Sequence, residues 1–525
     1  VAAIGVPPAA GAQAPLAALP LADPAYEQLA ALERGGCAAA RVSVDRPYDV
    51  RLVRAAIVAA RGQPACDGPI LTALARRFVG QGRGTLRADS GDGIRLGGAV
   101  TMRGTALSNG EFVPFWNDVR ARAAGDPPAV GIVHGRVTYA AGDRVAVVVD
   151  GYGESNVRND PTARARPLRR SAGVLDFSEA YVTARAGVFT FTLGRGPEAW
   201  LGEGNDSQIL SANGPPIDRV AAAFHTAHVE GRALFGSLDD VVLDSARDGL
   251  TSTIGPQRVY RYIAGHSITW RPGRAFELTA GETALLSRGS ATVDFYYLNP
   301  FIPYQITQHD SGRTGDDARD NLTAFAAART RLGPITASAE LLIDDIQVDA
   351  ARRLDTPDQL GYDLVLAAPV PLPLPATLAV EYQRIDSYTY MRGYYSEVYQ
   401  QYNVPLGSAL GPDADYARVA ADLFPTGWLR LAADAGVWRR GLQRIDERPG
   451  QSAARHVGEP FPTALAGRPA QTAAIGDVSM QILTPIMPVT GSVPVARIRG
   501  ANNLPLAATT YVRAQLAVTY AFRYP

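Results

Sequence analysis

The sequence predicts an all-β membrane protein: an antiparallel transmembrane β-barrel of about 18 strands with a small helical domain before it. Three observations carry this. The last strand alternates cleanly. Ala514, Leu516, Val518, Tyr520, Phe522 and Tyr524 are apolar or aromatic, while Arg513, Gln515, Ala517, Thr519, Ala521 and Arg523 are mostly polar or small. About eleven residues of this pattern are enough to cross a bilayer as a tilted strand. Similar alternation recurs along the chain, and tight turns alternate with long loops. No uninterrupted apolar run reaches the roughly 18 residues that a spanning helix needs. The most apolar stretch, Leu364 to Val380, is broken by Pro369, Pro371, Pro373 and Pro375.

Composition fits a barrel and excludes other classes. The 525 residues carry 51 basic and 51 acidic side chains, so no basic excess points to nucleic acid. Every base is an arginine, which reads as coding bias rather than function. The mean hydropathy of −0.05 is too low for a bundle of spanning helices. Barrel strands are only half apolar and escape that test.

Residues 1–20 read as the remnant of a signal peptide and a linker, with Ala12-Gln13-Ala14 fitting a cleavage rule. Residues 21–82 read as helical and are placed at the periplasmic mouth. Asp23-Pro24 opens a helix through Leu32. Arg51 to Arg61 has helical spacing, and a third helix runs through Ile70, Leu71, Leu74 and Phe78. Cys37 and Cys66 are the only cysteines. An even pair in an exported chain points to a disulfide, with free buried thiols as the other reading.

Residues 83–525 form the predicted barrel. Val145, Val147 and Val149 alternate with Ala146 and Val148; Ala180, Val182 and Ala184 with Tyr181 and Thr183. Ile335 to Asp344, Leu429 to Val437 and Asp477 to Ile482 repeat the pattern, with charges on one face. In a membrane barrel that face turns to the lumen. Arg271-Pro272-Gly273-Arg274 and Leu332-Gly333-Pro334 are tight turns. Residues 152–177, 196–219, 289–319, 391–413 and 442–473 are long loops. The terminal strand is also similar to the C-terminal insertion signal of bacterial outer-membrane barrels, except that Pro525 follows the last aromatic. These features place the chain in the bacterial outer membrane, with lipid and the barrel-insertion machinery as partners.

Several motifs then occur in order. Gly194-Arg195-Gly196-Pro197-Glu198-Ala199-Trp200-Leu201-Gly202-Glu203-Gly204 leads to Ile209-Leu210-Ser211-Ala212-Asn213. Tyr297-Leu298-Asn299-Pro300 precedes Ile302-Pro303-Tyr304. Glu340-Leu341-Leu342-Ile343-Asp344-Asp345 ends a strand. Tyr402-Asn403-Val404-Pro405-Leu406-Gly407 precedes Leu410-Gly411-Pro412-Asp413. Together they resemble the Wzi-type capsule assembly family over about residues 180–440. Ala199 stands where that family carries a second aromatic. The resemblance implies a non-catalytic outer-membrane lectin that binds capsular or exopolysaccharide and attaches it to the cell surface, with polysaccharide export machinery as a further candidate partner.

The residues offer sugar chemistry of their own. Tyr388, Tyr390, Tyr394, Tyr395, Tyr399 and Tyr402 place six of the 22 tyrosines on a strand end and a long loop. A tyrosine presents a ring face to a sugar's C–H surface and a hydroxyl to its polar edge. The expected ligand-binding set is Arg195, Trp200, Asn213, Tyr296, Tyr304, Glu340, Asp344, Arg384, Tyr388, Tyr390, Tyr394, Tyr395 and Tyr399. The competing reading is an aromatic girdle with lumen ion pairs, in which Arg195 and Trp200 organise a turn. Asp316, Asp317, Asp320 and Asn321 crowd one loop without the order of a calcium site. No metal, cofactor or catalytic residue is expected. A porin-like or substrate-specific channel is the alternative function, and an open lumen is what separates it from a lectin. A barrel enzyme would need a constellation that no local motif provides.

Overall fold

A computed structural model describes residues 16–79, 93–107, 129–155, 175–201, 206–243, 257–273, 275–291, 293, 295–305, 320–346, 358–391, 395–402, 404–445, 461–484 and 486–524. Eighteen antiparallel strands close into one barrel. The first nine are β1 Gly93–Leu107, β2 Ala129–Ala141, β3 Val145–Glu154, β4 Leu175–Ala186, β5 Phe189–Gly196, β6 Ile217–His225, β7 Val229–Ser237 with its extension Val241–Leu243, β8 Gln257–Trp270 and β9 Phe276–Arg288. The second nine are β10 Asp320–Leu332, β11 Ile335–Asp345, β12 Gln359–Pro369, β13 Ala376–Ile385, β14 Ala414–Thr426, β15 Leu429–Arg440, β16 Gln471–Ile482, β17 Val489–Ser492 with Val495–Arg499, and β18 Thr509–Tyr524. Closure comes from β1 pairing with β18, Ala99 opposite Ala521 and Thr101 opposite Thr519. Each strand thereby finds a partner on both sides, which hydrocarbon demands of every backbone amide and carbonyl.

The start of β1 and the end of β18 lie at the tight-turn end, since Gly93 pairs with Ala140 and Leu96 with Tyr524. Gly187 and Gly333 turn two of the hairpins with φ of 62° each, a conformation glycine takes without strain. The tight-turn end faces the periplasm in outer-membrane barrels, and the long loops face outward.

Alternation sorts the two faces. Leu516, Tyr520 and Phe522 are exposed on the outside, while Arg513, Ala517 and Thr519 are buried inside. Val100 and Met102, Phe191 and Leu193, Leu364 and Leu366, and Val478 and Met480 continue the same outer belt. Tyr139, Phe189, Trp270, Phe276 and Trp428 stand exposed beside the tight turns, where aromatic rings suit a membrane–water interface.

Three helices fill the tight-turn end: α1 Ala25–Arg34, α2 Val50–Ala60 and α3 Pro69–Phe78. Asp49 caps α2 by accepting from the Leu52 amide at 2.7 Å, and Pro69 opens α3 where no amide proton is needed. Their apolar stripes meet around Leu29, Val53, Ile57, Ile70, Leu74 and Phe78. A disulfide joins Cys37 to Cys66 across this core, with an S–S distance of 2.07 Å. Of residues 1–20, read as leader remnant and linker, the described part begins at Leu16. Leu16 and Ala17 are buried against Ala140, Ala146, Val148 and Tyr181 of the wall, where the small Ala140, Ala146 and Val148 leave room that the chain fills. Residues 1–15 lie outside the described part.

The helical unit is tied to the barrel by polar contacts. Arg430 reaches Glu27 at 3.3 Å, Arg329 reaches Glu33 at 2.9 Å, Arg41 pairs with Glu277, and Ser43 donates to Glu230 at 2.5 Å. Gln28 Nε2 donates to the Gly427 carbonyl at 2.8 Å. Buried ion pairs of this kind add little net stability but are costly to mismatch, so they fix the seating of the plug.

Arginine in place of Leu516 should cost about 2–4 kcal/mol, the range for a cation on the lipid face near the bilayer midplane. Arginine at exposed Leu465, in the loop before β16, should cost much less. Urea unfolding in lipid vesicles measures both, and equal costs refute the assigned face. Gly427 sits so close to α3 that a Cβ there falls 2.2 Å from the Pro69 carbonyl oxygen. Gly427→Leu should unseat the plug and expose residues 16–79 of the purified protein to protease.

Candidate functional site at the long-loop end

Two long loops turn inward, and the first meets the helical unit inside the barrel. The first leaves β5 at Gly196. Arg46 and Ala199 exchange backbone hydrogen bonds of 2.7 and 2.9 Å, so the two plugs join by a short ladder. Leu201 N then donates to Asp45 at 3.3 Å. Trp200 is fully buried. Its indole N–H donates to Glu198 at 3.2 Å, and Glu198 is held by Arg219 at 2.5 Å and Arg232 at 3.1 Å. The ring lies 6.2 Å from Phe325, centroid to centroid. A Cβ on Gly265 would come within 2.9 Å of it, so only glycine allows this approach to β8.

The second loop leaves β13 and holds Tyr388, Tyr390 and Tyr399, all buried. Tyr390 donates its hydroxyl to Gln208 O at 2.6 Å, and its amide donates to Asp344 at 2.7 Å. The Tyr399 hydroxyl donates to Ile209 O at 3.0 Å. The two rings stack with centroids 5.6 Å apart. Arg261 donates to the Ser396, Val398 and Gln400 carbonyls at 2.9, 2.6 and 2.8 Å. Glu340 accepts from the Gln208 amide at 2.9 Å and the Ser207 hydroxyl at 3.2 Å. These side chains serve backbone groups that the inward loops leave without a ladder partner.

Asp206 links the two loops. It accepts from the Ser408 hydroxyl at 2.8 Å, from Asn213 Nδ2 at 3.2 Å, and from the Ser211 hydroxyl and the Ala409 amide. Burial pushes its carboxyl up to about 6 against the pull of these donors. Asp413, at φ 59°, ties the second loop to the next by accepting from Gln443 N at 3.0 Å and Thr463 N at 2.8 Å. Burial raises its carboxyl as well. Neither aspartate stands out in the sequence as a site residue, although Asp413 closes one of the quoted motifs.

The predicted ligand-binding residues separate into three places. Trp200, Asn213, Tyr388, Tyr390 and Tyr399 belong to the plug, and Glu340 and Asp344 reach it from β11 of the wall. Tyr296 and Tyr304 lie in residues 295–305, which fold back on the lipid side of the barrel. There Tyr304 N donates to Glu282 at 2.6 Å, and Tyr297, Tyr304, Leu286 and Leu322 form an outer cluster. Arg195 and Arg384 end strands on the outer rim. Arg195 is held by Asp218 at 2.7 Å, and Arg384 bonds Asp386 at 2.8 Å and lies 3.7 Å from the Phe461 ring centroid.

Tyr388, Tyr390 and Tyr399, expected among the ligand-binding residues, are buried in the plug. The hydroxyls and rings of Tyr390 and Tyr399 hold the plug, because inward-folded loops need donors and apolar filling. Tyr394 and the Tyr395 side chain lie outside the described part, as do Asp316 and Asp317. Asp320 is held by Arg288 at 2.6 Å. Among the described residues, no group of three His, Cys, Asp or Glu side chains is placed to hold a metal ion.

Porin-sized barrels of 16–18 strands otherwise leave an aqueous channel. Among the described residues, two gaps between plug and wall measure about 110 Å³, beside Ser43, Asp45, Glu198 and Glu230, and about 30 Å³, beside Val44, Leu201 and Glu340.

The raised Asp206 carboxyl has a definite sign. The folded protein keeps a proton that the unfolded chain releases near pH 4, so stability falls as pH rises from about 4 to about 6. The loss amounts to about 3 kcal/mol, because each tenfold gain in proton affinity is worth about 1.4 kcal/mol. Asp206→Asn should lower stability overall by about 1–3 kcal/mol, since an amide cannot accept all four bonds, and should flatten this slope. Denaturant midpoints from pH 4 to 7 for both proteins test it, and parallel profiles refute it.

Comparison with known proteins extends the geometry. The sequence model of the capsule assembly protein Wzi family matches residues 113–430. In structure the chain is similar to Wzi of Escherichia coli, an outer membrane protein involved in group 1 capsule assembly and described as a carbohydrate binding β-barrel. The two share 13% identity over 95% of this chain and 98% of that one, with a TM-score of 0.59. Pseudomonas aeruginosa OccD3 (10% identity, 83% and 92% covered, TM-score 0.46) and OprD (9% identity, 82% and 94% covered, TM-score 0.44) score too low to carry an argument. No curated protein matches the chain. The family match spans more than half of the sequence, and the chain belongs to the Wzi capsule assembly family.

Proposed function

We propose that this outer-membrane barrel binds capsular or exopolysaccharide at its outward-facing loop end and keeps it on the cell surface without cleaving it. The observation that carries this reading is the double plug. A barrel of this width with helices seated from one end and two sewn-in loops from the other is built to present a surface rather than a pore. Family membership and the carbohydrate binding described for Wzi of Escherichia coli support the ligand class.

Asn213, Tyr402 and Arg384 are partly exposed at the loop end. Tyr394 and Tyr395 belong to the same loop. The buried set around Trp200, Tyr390, Tyr399, Glu340 and Asp344 then acts by positioning, holding the loops that carry the contact surface. Individual sugar contacts are modest, so a long polymer gains from several along a rigid face. The insertion machinery and the export machinery remain partners by inference from this role.

Replacing Asn213 and Tyr402 together by Ala should move polysaccharide from cells to medium severalfold without lowering total synthesis, and removal of the whole gene should do so more fully. Cell-bound and released polymer are measured in parallel. If cells lacking the protein keep as much surface polymer as the parent, the reading fails. Steady single-channel conductance of the intact protein in a planar bilayer would favour the channel instead.

A further inference from the structure

The outward side chains at the loop ends of the strands include several arginines, and most are neutralised. Arg195 meets Asp218 at 2.7 Å, Arg258 meets Asp240 at 3.0 Å, Arg288 meets Asp320 at 2.6 Å, and Arg439 pairs with Asp415. The pattern changes at β16 and β17. Arg497 and Arg499 are both exposed on β17, two residues apart on one face, so about 7 Å separates them along the strand. Arg468, in the turn that leads into β16, is exposed too. Among the described residues, no carboxylate meets any of these three.

What lies beneath them is apolar. Arg499 is in register with Thr472, and one rung lower Arg497 is in register with Ala474, which faces Val437. The next rung is Val495, Gly476 and Ala435. The outward side chains of β15 to β17 directly below these cations are small or apolar. An amphiphile with an anionic head and acyl chains matches both halves. Guanidinium groups bind phosphate through paired N–H donors, and two or three of them suit a head with more than one phosphate.

We propose that the β15–β17 rim binds the phosphorylated saccharide head of a glycolipid of the outer leaflet. Arg468, Arg497 and Arg499 hold its phosphates, and an acyl chain lies along Val437, Ala474 and Val495. The site is on the outer wall, away from the mouth proposed for polysaccharide, and does not depend on that reading.

The test is native mass spectrometry of the full chain in detergent, titrated separately with bisphosphorylated lipid A, its dephosphorylated form, phosphatidylglycerol and inorganic phosphate. Bisphosphorylated lipid A should bind most tightly. The Arg468→Gln/Arg497→Gln/Arg499→Gln variant should bind it about tenfold more weakly or worse, and Arg258→Gln, at a paired position, should match the parent. A heat-dependent gel shift identical to the parent's establishes that each variant is folded. If the triple variant does not fold, Arg499→Gln alone, at an exposed strand end, takes its place with a smaller loss. Unchanged binding by the folded variant overturns the proposal, as does equal binding of the dephosphorylated lipid or of phosphatidylglycerol. Full displacement of the lipid by millimolar inorganic phosphate overturns the acyl-chain part.

Discussion

A sheet in lipid has no water to satisfy a backbone amide or carbonyl, and the whole architecture follows from meeting that demand by closure of β1 on β18. Once closed, the sheet has an outside that must be apolar and an inside that is polar by alternation. Eighteen strands enclose more space than side chains from the wall can fill. This chain fills it with polypeptide from both ends, and that choice creates the second problem. Loops and short helices inside a barrel bring backbone groups with no ladder to join.

The solution is a lattice of side chains that reach from wall to plug. Arg261 serves three carbonyls of one loop. Glu340, Asp344 and Asp206 serve amides and hydroxyls of both loops. Each such group is buried, so each is costly if its partner is missing and nearly neutral if all partners are present. The lattice therefore selects one seating of the plug more than it adds stability. Backbone strain agrees: Leu201, Tyr390, Tyr402 and Asp413 all take positive φ in these loops, held there by the contacts around them.

Much of the fold was legible because it rests on period and composition. The terminal strand, the alternation of Ile335 to Asp344 and the three helices depend on residue type at fixed spacing, which sequence records directly. Thr519 was legible as inward-facing, but its near-complete burial against Thr101, with hydroxyls 2.8 Å apart, was not. The site was less legible for a definite reason. A tyrosine hydroxyl that can bond a sugar can equally bond a carbonyl, and residue type does not say whether a loop folds out or in. Tyr390 and Tyr399 look alike under both outcomes. Asp206 gave no signal because its partners, Ser211, Asn213, Ser408 and Ala409, are gathered from two loops some two hundred residues apart.

The motif from Tyr297 to Tyr304 shows the same logic on the outer wall. β8 and β9 place His266 opposite Glu282 on the lipid-facing side, where an uncovered carboxylate is expensive. Residues 295–305 cover that rung. Tyr304 N donates to Glu282, and the Tyr304 ring stands 4.5 Å from His266. Tyr297 donates its hydroxyl to Asp320 at 2.6 Å, and the Tyr304 hydroxyl bonds back to Tyr297 O at 3.2 Å. The outward face of the same segment is apolar, with Phe295 at 80% and Phe301 at 89% exposed. Polar atoms point to the strands and rings point to lipid. A stretch that resembles a ligand motif in sequence is thus explained by covering charged side chains in hydrocarbon, and its two tyrosines are needed for their hydroxyls and rings together. Phenylalanine in place of Tyr297 would keep the apolar cover but leave Asp320 one donor short.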